Sequence, residues 1–316
     1  DIFKKIDGRI IEKVQISELA GMIRGQPNTN VVISLYRPSD KRIISYSLNR
    51  EIIAIETVEY QILENNIGSI KITSFSKQTN NQLKKALLKA KQDKVQAFIL
   101  DLRNNPGGLL DQSVKVASHF LYRKRLVVYT QGRRATDKIE YRAKYKNSLH
   151  SIPVVILINQ NSASAAEIVA GALRDSGKAL IIGENSYGKG TVQTIFRTSD
   201  GSGLRLTTSK YYTPSGIDIT AHGITPEIHI IKNYAKTNGL SLPKNSKATS
   251  LKINGSSLIE LEETKINNFV KKYYNAVTET SDPTFQFAKI LIKNVSVANK
   301  KKTLEKAREL AANIHY

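Results

Sequence analysis

Cysteine is absent from all 316 residues. Disulfide bonds, thiolate catalysis and cysteine-based metal sites are therefore excluded, and the absence fits a protein of the cell envelope. No run of about 18 apolar residues occurs that could cross a bilayer. Because the chain begins at Asp1 rather than at Met, we expect that an N-terminal targeting region has been removed from it.

Acidic residues are scarce: 27 Asp and Glu stand against 48 Lys and Arg, for a formal net charge of +21. A basic chain can bind a polyanion because its cations displace the counterions of phosphates. Here the lysines are spread along the chain, and the strongest run, residues 300–302, is short. We therefore predict no dedicated nucleic-acid partner, while attraction to an anionic membrane surface stays open as an alternative.

The pattern of strand and helix signals divides the chain into three segments. Residues 1–55 are typical of a small α+β unit. Residues 56–232 alternate β and α elements, which predicts an α/β (α+β) core whose mixed sheet is joined by crossover helices. Residues 233–316 begin with a linker rich in Asn, Lys, Ser and Pro at 235–255 and continue as a helical C-terminal extension. A chain of this length favours two or three modules.

Hydrophobic periodicity locates the individual elements. Strands are predicted at residues 2–6, 31–33, 42–48, 67–74, 97–102, 126–129, 154–158 and 180–183, and the second and third of these can pair. Helices are predicted at residues 16–23, 266–277 and 303–314, and from Asp282–Pro283 onward. Two further helical stripes are interpreted as core faces: Leu83, Ala86, Leu87 and Ala90, and then Leu110, Val114, Ala117 and Leu121.

One hydroxyl is predicted to lie at a strand-to-helix corner. Ser164 follows the apolar residues 154–158 and opens an Ala-rich helix. A helix N-terminus presents unpaired backbone N–H groups, and such donors stabilise the oxyanion of acyl transfer. We therefore interpret Ser164 as a candidate nucleophile and the amide of Ala165 as a first oxyanion donor. The structural alternative is a capping box of Ser164 with Glu167, for which Ser162 is a second candidate cap.

No histidine is an evident base for this serine. The five His residues, at positions 119, 150, 222, 229 and 315, fall in no recognisable triad context, and no G-x-S-x-G elbow occurs. Lys189 is the better candidate, because Gly188 and Gly190 flank it and let other groups approach closely. A lysine acts as a base only when it is neutral, and an apolar pocket favours that form. The plain alternative is a solvated loop lysine.

The lysine segment also nearly matches a phosphate-binding loop, G-x-x-x-x-G-K-[ST], starting at Gly183. Gly190 occupies the position at which a magnesium-binding hydroxyl is required, and Thr191 comes one residue late. A nucleotide-binding protein is therefore kept as a minor hypothesis.

A third segment of interest, D-L-R-N-N-P-G-G at residues 101–108, lies between a predicted strand and a predicted helix. Its plain interpretation is a βα turn. Its functional interpretation is that Gly107 or Gly108 presents a second backbone amide to the oxyanion, since only glycine permits such close approach.

Four segments in this order resemble the carboxyl-terminal processing (tail-specific) proteases: D-L-R-N-N-P-G-G at 101–108, S-A-S-A-A-E at 162–167, G-K-G-T-V-Q at 188–193 and L-T-T-S-K-Y-Y-T-P-S-G at 206–216. The resemblance covers roughly residues 1–232. It implies a Ser/Lys serine endopeptidase in which Ser164 is the nucleophile, Lys189 is the base and Gln193 orients the lysine. It implies no cofactor and no metal.

The resemblance also implies that residues 1–55 are the later part of a PDZ domain, whose carboxylate-binding loop would precede Asp1. PDZ domains add a C-terminal peptide as a strand to a sheet edge. The expected substrates are proteins with apolar C-terminal tails in the bacterial periplasm or cell envelope, and a homo-oligomer is a further expectation. A catalytically silent PDZ scaffold is the alternative function.

Overall fold

The computed structural model describes residues 1–53, 55–146, 149–231, 252–253, 256–257, 259–262 and 282–294. The chain separates into two compact units, Asp1–Ile55 and Glu56–Tyr316. The helices predicted at 266–277 and 303–314 lie outside the described residues, as does the predicted linker except for 252–253. None of the helices in the described part of the chain is long and apolar enough to cross a membrane.

The first unit is a four-stranded antiparallel sheet with one helix. Its elements are β1 (Ile2–Ile6), β2 (Arg9–Ile10), α1 (Ile16–Ile23), β3 (Asn30–Arg37) and β4 (Arg42–Asn49), and the strand order is β2-β1-β3-β4. Ile6, Val31 and Ile33 form its small buried core. The predicted pairing of the third and fourth strands is confirmed, from Asn30 opposite Asn49 to Arg37 opposite Arg42.

The second unit contains the larger set of elements. Its strands are β5 (Val58–Leu63), β6 (Ile67–Ile72), β7 (Ala97–Asp101), β8 (Leu126–Gln131), β9 (Ile139–Arg142), β10 (Val154–Ile158), β11 (Ala179–Gly183), β12 (Thr191–Arg197), β13 (Gly203–Tyr212), β14 (Ile228–Ile231), β15 (Lys252–Ile253), β16 (Ser256–Ser257) and β17 (Ile259–Glu262). Its helices are α2 (Thr79–Gln92), α3 (Leu110–Ser118), α4 (Ala165–Asp175), α5 (Ile219–His222) and α6 (Pro283–Asn294).

A seven-stranded sheet in the order β17-β14-β11-β10-β7-β6-β5 forms the centre of this unit. Every neighbouring pair is parallel except β5 with β6, which confirms the predicted mixed sheet. Strands covered on both faces have no polar side to expose, so they are apolar throughout rather than alternating. All five residues of β7, β10 and β11 are buried accordingly.

Helices cover both faces of the central sheet. The predicted stripe of α2 is confirmed, with Leu83, Ala86, Leu87 and Ala90 buried, and it packs in one core with α3 and α4. On the other face, α6 contributes Phe287, Ala288 and Leu291, all fully buried, to a second core. Asp282–Pro283 does start a helix, as predicted, and α6 packs on the same sheet as the preceding elements. The predicted boundary at residue 232 stays a prediction.

A second sheet, β12-β13-β8-β9, is antiparallel and includes the long hairpin of β12 and β13. Its importance here is that β12 begins directly after the segment that carries Lys189.

Three loops leave the same edge of the central sheet. Strands β7, β10 and β11 are adjacent and parallel, with Asp101 opposite Leu157 and Ile158 opposite Gly183. Their carboxyl ends therefore lie side by side, which is where open α/β sheets place their binding sites. The residues that follow are 102–109, 159–164 and 184–190, the three segments singled out from the sequence.

Candidate functional site

Ser164 lies at a strained corner between β10 and α4. Its φ of 53° and ψ of −112° are outside the helical and extended regions, and such a conformation costs about 1–3 kcal/mol in a non-glycine residue. An ordinary N-cap residue has extended backbone angles instead. The side chain is partly exposed while Ala163 and Ala165 are buried, so the corner holds one hydroxyl at the surface. Nucleophilic serines of hydrolases occupy strand-to-helix turns of this kind.

The loop after β7 is attached to this corner by hydrogen bonds. The amide of Ala163 donates to the carbonyl of Asn105 (2.9 Å), and the buried hydroxyl of Ser162 donates to the carbonyl of Leu102 (2.8 Å). Ser162 therefore joins the two loops and is not the helix cap considered as an alternative. The amide of Asn104 also donates to Asn159 Oδ1 (2.9 Å).

Gly107, in the loop after β7, lies directly against the serine corner. A Cβ at this position would lie 2.7 Å from the Ala163 carbonyl oxygen, 2.7 Å from Ser164 Cβ and 3.0 Å from the Ala165 nitrogen. Its φ of +96° also favours glycine. Only glycine fits here, and its backbone lies beside the candidate oxyanion donor of Ala165.

The predicted oxyanion donors differ in what they already bind. The amide of Gly107 donates to Asn105 Oδ1 (2.8 Å), so it is occupied. Among the described residues, the amides of Ala165 and Gly108 donate no hydrogen bond. These two are the donors that remain free for a substrate.

Glu167 joins the serine corner to the lysine loop. Its carboxylate is fully buried and accepts four hydrogen bonds: Oε1 from Ser186 Oγ (2.5 Å) and Gly188 N (2.7 Å), and Oε2 from Ser164 N (2.7 Å) and Lys189 N (2.9 Å). Burial raises the pKa of Glu167, and the four donors oppose that rise.

A single oxygen thus binds the amides of both candidate dyad residues. The backbone nitrogens of Ser164 and Lys189 lie 2.7 and 2.9 Å from the same oxygen, Glu167 Oε2. The 25-residue separation in sequence becomes direct proximity of the two backbones. This arrangement includes the predicted capping box of Ser164 with Glu167 and extends it to a second segment.

The Lys189 side chain is exposed. Within the described part of the chain, its ammonium has no hydrogen bond or ion pair, and it is not bonded to the Ser164 hydroxyl. The two flanking glycines are required by the backbone of the loop. A side chain at Gly190 would collide with the amide of Thr220, and Gly188 has a φ of +84°, which favours glycine. The structure brings the backbones of the pair together and leaves the lysine amine free to turn.

Within the described residues, Gln193 forms no hydrogen bond with Lys189. It lies on β12 next to a register shift between Val192 and Gln193, and its Oε1 accepts a hydrogen bond from Arg205 Nε (2.5 Å) on β13. The predicted orienting amide is therefore bound to another partner in this arrangement.

The remaining candidates fit other roles. The amides of Gly188 and Lys189, which a phosphate loop would offer to a nucleotide, face the buried carboxylate of Glu167 instead, and that charge would repel phosphates. His119 lies at the end of α3 and binds Asn80 Oδ1 (3.0 Å), while the ring of His150 packs at a tilt against Tyr122, with the ring centroids 4.1 Å apart. Within the described residues, no group of three His, Asp or Glu side chains could hold a metal ion.

Two contributors were missed from the sequence. Asn105 is fully buried, and its side chain binds the carbonyl of Ile72 (2.7 Å) as well as the amide of Gly107, so it shapes the glycine turn. The sequence predicts only a capping role for Glu167. The signal for its second role is the glycine-rich loop around Lys189. The amides of Gly188 and Lys189 there need an acceptor from another segment, and Glu167 supplies it.

Comparison with known proteins assigns the chain to a family. The profile of peptidase family S41 matches residues 66–230, which include the serine corner, the lysine loop and the β7 loop. The chain belongs to peptidase family S41. The resemblance inferred from the four sequence segments is thereby confirmed.

Two bacterial relatives support this assignment. The chain is 40% identical over 232 residues to the "Carboxy-terminal-processing protease" of Bartonella bacilliformis, covering 72% of this chain and 53% of that protein. It is 37% identical over 230 residues to a "Probable CtpA-like serine protease" of Staphylococcus aureus, covering 73% of this chain and 46% of that protein. The S41 chain thus spans about half the length of these relatives.

One solved structure supports the fold of this S41 chain. The photosystem II D1 C-terminal processing protease is 28% identical, with a TM-score of 0.52, and the match covers 72% of this chain and 62% of that one.

Proposed function

We propose that this chain carries the activity of a serine endopeptidase of the carboxyl-terminal processing type, with Ser164 as nucleophile and Lys189 as general base. The observation that supports it most is Glu167 Oε2, which binds the amides of both residues. The strained φ of 53° at Ser164 adds to it, because strain at a partly exposed hydroxyl is typical of an activated nucleophile.

The proposed first step is attack of Ser164 Oγ on the scissile carbonyl carbon. The hydroxyl proton passes to the neutral amine of Lys189, and the negative charge develops on the carbonyl oxygen. The free amides of Ala165 and Gly108 donate to that oxygen, with Gly107 as the alternative second donor once it leaves Asn105. Fixed donors of this kind stabilise the transition state more than the ground state.

The second half of the reaction returns the enzyme to its starting state. Lys189 gives its proton to the leaving amine, and an acyl-enzyme remains on Ser164. Water then attacks the ester, Lys189 takes a proton from it, and Ser164 regains its hydrogen as the new carboxyl product leaves. Before the first step the exposed Lys189 amine must turn toward Ser164, and Gln193 reaches it only after release from Arg205.

The proposed substrates are proteins cleaved near apolar C-terminal tails in the bacterial periplasm or cell envelope. The name of one relative, a carboxy-terminal-processing protease, supports cleavage near the C-terminus, while the apolar tail and the compartment follow from the sequence resemblance alone. We propose residues 1–55 as the later part of a PDZ domain, 56–232 as the catalytic core and 233–316 as an extension. A homo-oligomer stays a prediction.

Peripheral association with an anionic membrane is part of the proposal, because cations cluster around one cavity. Lys84, Arg123, Lys144 and Lys146 line a space of about 510 Å³, and one of these four cations, Lys144, is paired with Asp111 (3.2 Å). Anionic lipid attracts such clusters by about 1 kcal/mol per cation. Co-sedimentation with phosphatidylglycerol vesicles but not with phosphatidylcholine vesicles is the expected result.

The decisive experiment measures cleavage of an unfolded protein with an apolar C-terminal tail. Ser164→Ala and Lys189→Ala are each expected to abolish cleavage, because one removes the nucleophile and the other the base. Lys91→Ala, at an exposed site on α2, is the matched control and should keep full activity. Full activity in either dyad variant would rule out the proposal.

A catalytically silent peptide-binding scaffold is the second candidate. It is favoured by the absence of a Ser164–Lys189 hydrogen bond in the described structure and by the engagement of Gln193 with Arg205. A fluorophosphonate probe separates the two, because it labels only an activated serine. Labelling that is lost in Ser164→Ala supports the peptidase, whereas peptide binding without labelling supports the scaffold.

A further inference from the structure

Arg103 binds two acids that come from different parts of the chain. Its Nε and one terminal nitrogen donate to the two oxygens of Asp101, at 2.9 and 2.6 Å, and its other terminal nitrogen lies 2.6 Å from Asp282 Oδ2. Burial alone would lower the pKa of Arg103, but hydrogen bonds and charge from Asp101 and Asp282 raise it well above its usual range. The guanidinium is therefore fixed and permanently charged.

The contact of Arg103 with Asp282 forms a bridge between two segments. One side of this bridge is the loop that carries the candidate oxyanion donors. Arg103 immediately precedes Asn104 and Asn105, which bind the serine loop through Asn159 and Ala163. Only a few residues later, Gly108 carries the free amide. A displacement of Arg103 is therefore transmitted along a short chain segment to the oxyanion site.

The other side of the bridge is a firmly packed helix. Asp282 is the residue before α6, and its Oδ1 accepts the amide of Phe285 (3.1 Å). The carbonyl of Asp282 accepts the amide of Gln286 (3.0 Å). Three fully buried residues, Phe287, Ala288 and Leu291, attach α6 to the central sheet, so Asp282 is a fixed point.

The space around the bridge is open rather than packed. Arg103, Asn104, Asn159 and Asp282 line a cavity of about 440 Å³ at the edge of the sheet. Side-chain packing cannot set the position of the loop on this side, because an open cavity offers few contacts. The ion pair of Arg103 with Asp282 (2.6 Å) lies at this cavity.

We propose that Asp282 is a positioning residue for catalysis: the start of α6 holds the β7 loop, through Arg103, where its glycine amide meets the oxyanion. The inference rests on the proposed function. It gives a role in catalysis to a residue outside the S41 match at 66–230. Asp282 takes no direct part in the reaction and acts through Arg103. Donor position matters because a displacement of about 1 Å can cost 100-fold in rate.

The test compares Asp282→Asn with wild type in steady-state cleavage and in the rate of fluorophosphonate labelling of Ser164. We expect kcat to fall about tenfold with KM unchanged, because the defect lies in transition-state stabilisation. Labelling should slow by a similar factor, since the probe uses the same donors. Because the pair is partly exposed, the melting temperature should change by only about 2 °C.

The matched control is Glu59→Gln, which removes an exposed pair with Lys71 (3.6 Å) on the same sheet and should leave kcat unchanged. Asp282→Glu keeps the charge and should recover part of the lost rate, which a purely structural role would not predict. If an Asp282→Ala variant fails to fold, the kcat of Asp282→Asn still tests the inference. An unchanged kcat in Asp282→Asn, with Ser164→Ala inactive, overturns this inference alone; activity in Ser164→Ala overturns the proposed function.

Discussion

The serine half and the lysine half of the proposed site are built differently. Ser164 is held by a positive φ, by a helix N-terminus and by a loop whose Gly107 would admit no side chain. Lys189 and Gln193 are exposed, and Gln193 is bound to Arg205 on the neighbouring strand. The first half depends on backbone and buried groups, whereas the second depends on side chains that can rotate.

This difference indicates where the site can be switched. A backbone corner braced by buried hydrogen bonds changes only at high cost, while exposed side chains change rotamer within nanoseconds. The serine half is therefore ready in this arrangement. The lysine half needs rotation of two side chains, so any control of activity is expected to act on β12 and β13.

The largest effect is expected from Glu167→Ala, which would break both halves. Three backbone amides and the Ser186 hydroxyl would lose a buried acceptor, at about 1–3 kcal/mol for each unsatisfied group. We expect cleavage below detection and a loss of about 3 kcal/mol or more in the free energy of unfolding, measured by urea denaturation. Glu140→Ala, which removes an exposed carboxylate on β9, is the control. Near-normal activity of Glu167→Ala would show that the two halves are independent.

Gly107→Ala tests the serine half alone. The added methyl would press on Ala163 and Ser164 at 2.7 Å, so kcat should fall about 100-fold through displacement of the corner. Gly177→Ala has a comparable φ of +71° but no atom within 4 Å of the new methyl. It should cost about 1–2 kcal/mol of backbone strain and leave kcat intact. Equal activity in the two variants would contradict the close approach of the β7 loop.

Arg205→Ala tests the lysine half. Removing the guanidinium frees Gln193 Oε1, so the fraction of molecules with Gln193 near Lys189 should rise, and kcat/KM with it, by about threefold. Arg197→Ala, an exposed change on β12, should have no such effect. The gain should disappear in the Arg205→Ala, Gln193→Ala double variant; if it persists, Gln193 has no part in orienting the lysine.

The smallest effect on activity is expected at His119, which tests the acid sensitivity of the fold. Burial, with a contribution from Lys84, lowers the pKa of His119 from 6.5 to about 4. The unfolded chain therefore binds a proton before the folded one does, and stability is lost as pH falls from about 6.5 to about 4, by up to about 3 kcal/mol. His119→Gln should flatten this loss in urea denaturation at several pH values and leave kcat at neutral pH unchanged.

Much of the second unit could be predicted from its sequence because its elements are strongly patterned. The apolar runs of β7, β10 and β11 and the stripe of α2 lie where periodicity put them. Ser164 could be placed at a corner because an apolar strand and an Ala-rich helix meet there. These predictions use short-range signals only.

The remaining features depend on contacts between distant segments. Nothing local to Glu167 indicates that its carboxylate accepts the Lys189 amide as well as that of Ser164. The choice between Gly107 and Gly108 as donor depended on Asn105, whose side chain occupies one of the two amides. The pairing of Arg103 with Asp282 joins residues that no periodicity relates.

Glu167 also limits how the chain can change in length. The loop after β11 must bring two consecutive amides, those of Gly188 and Lys189, to a carboxylate that also accepts the amide of Ser164. A residue added between 184 and 188 shifts that register, whereas one added in the turn at 198–202 does not. Surface loops usually tolerate insertion; here one buried acid makes a short exposed loop as length-restricted as a core strand.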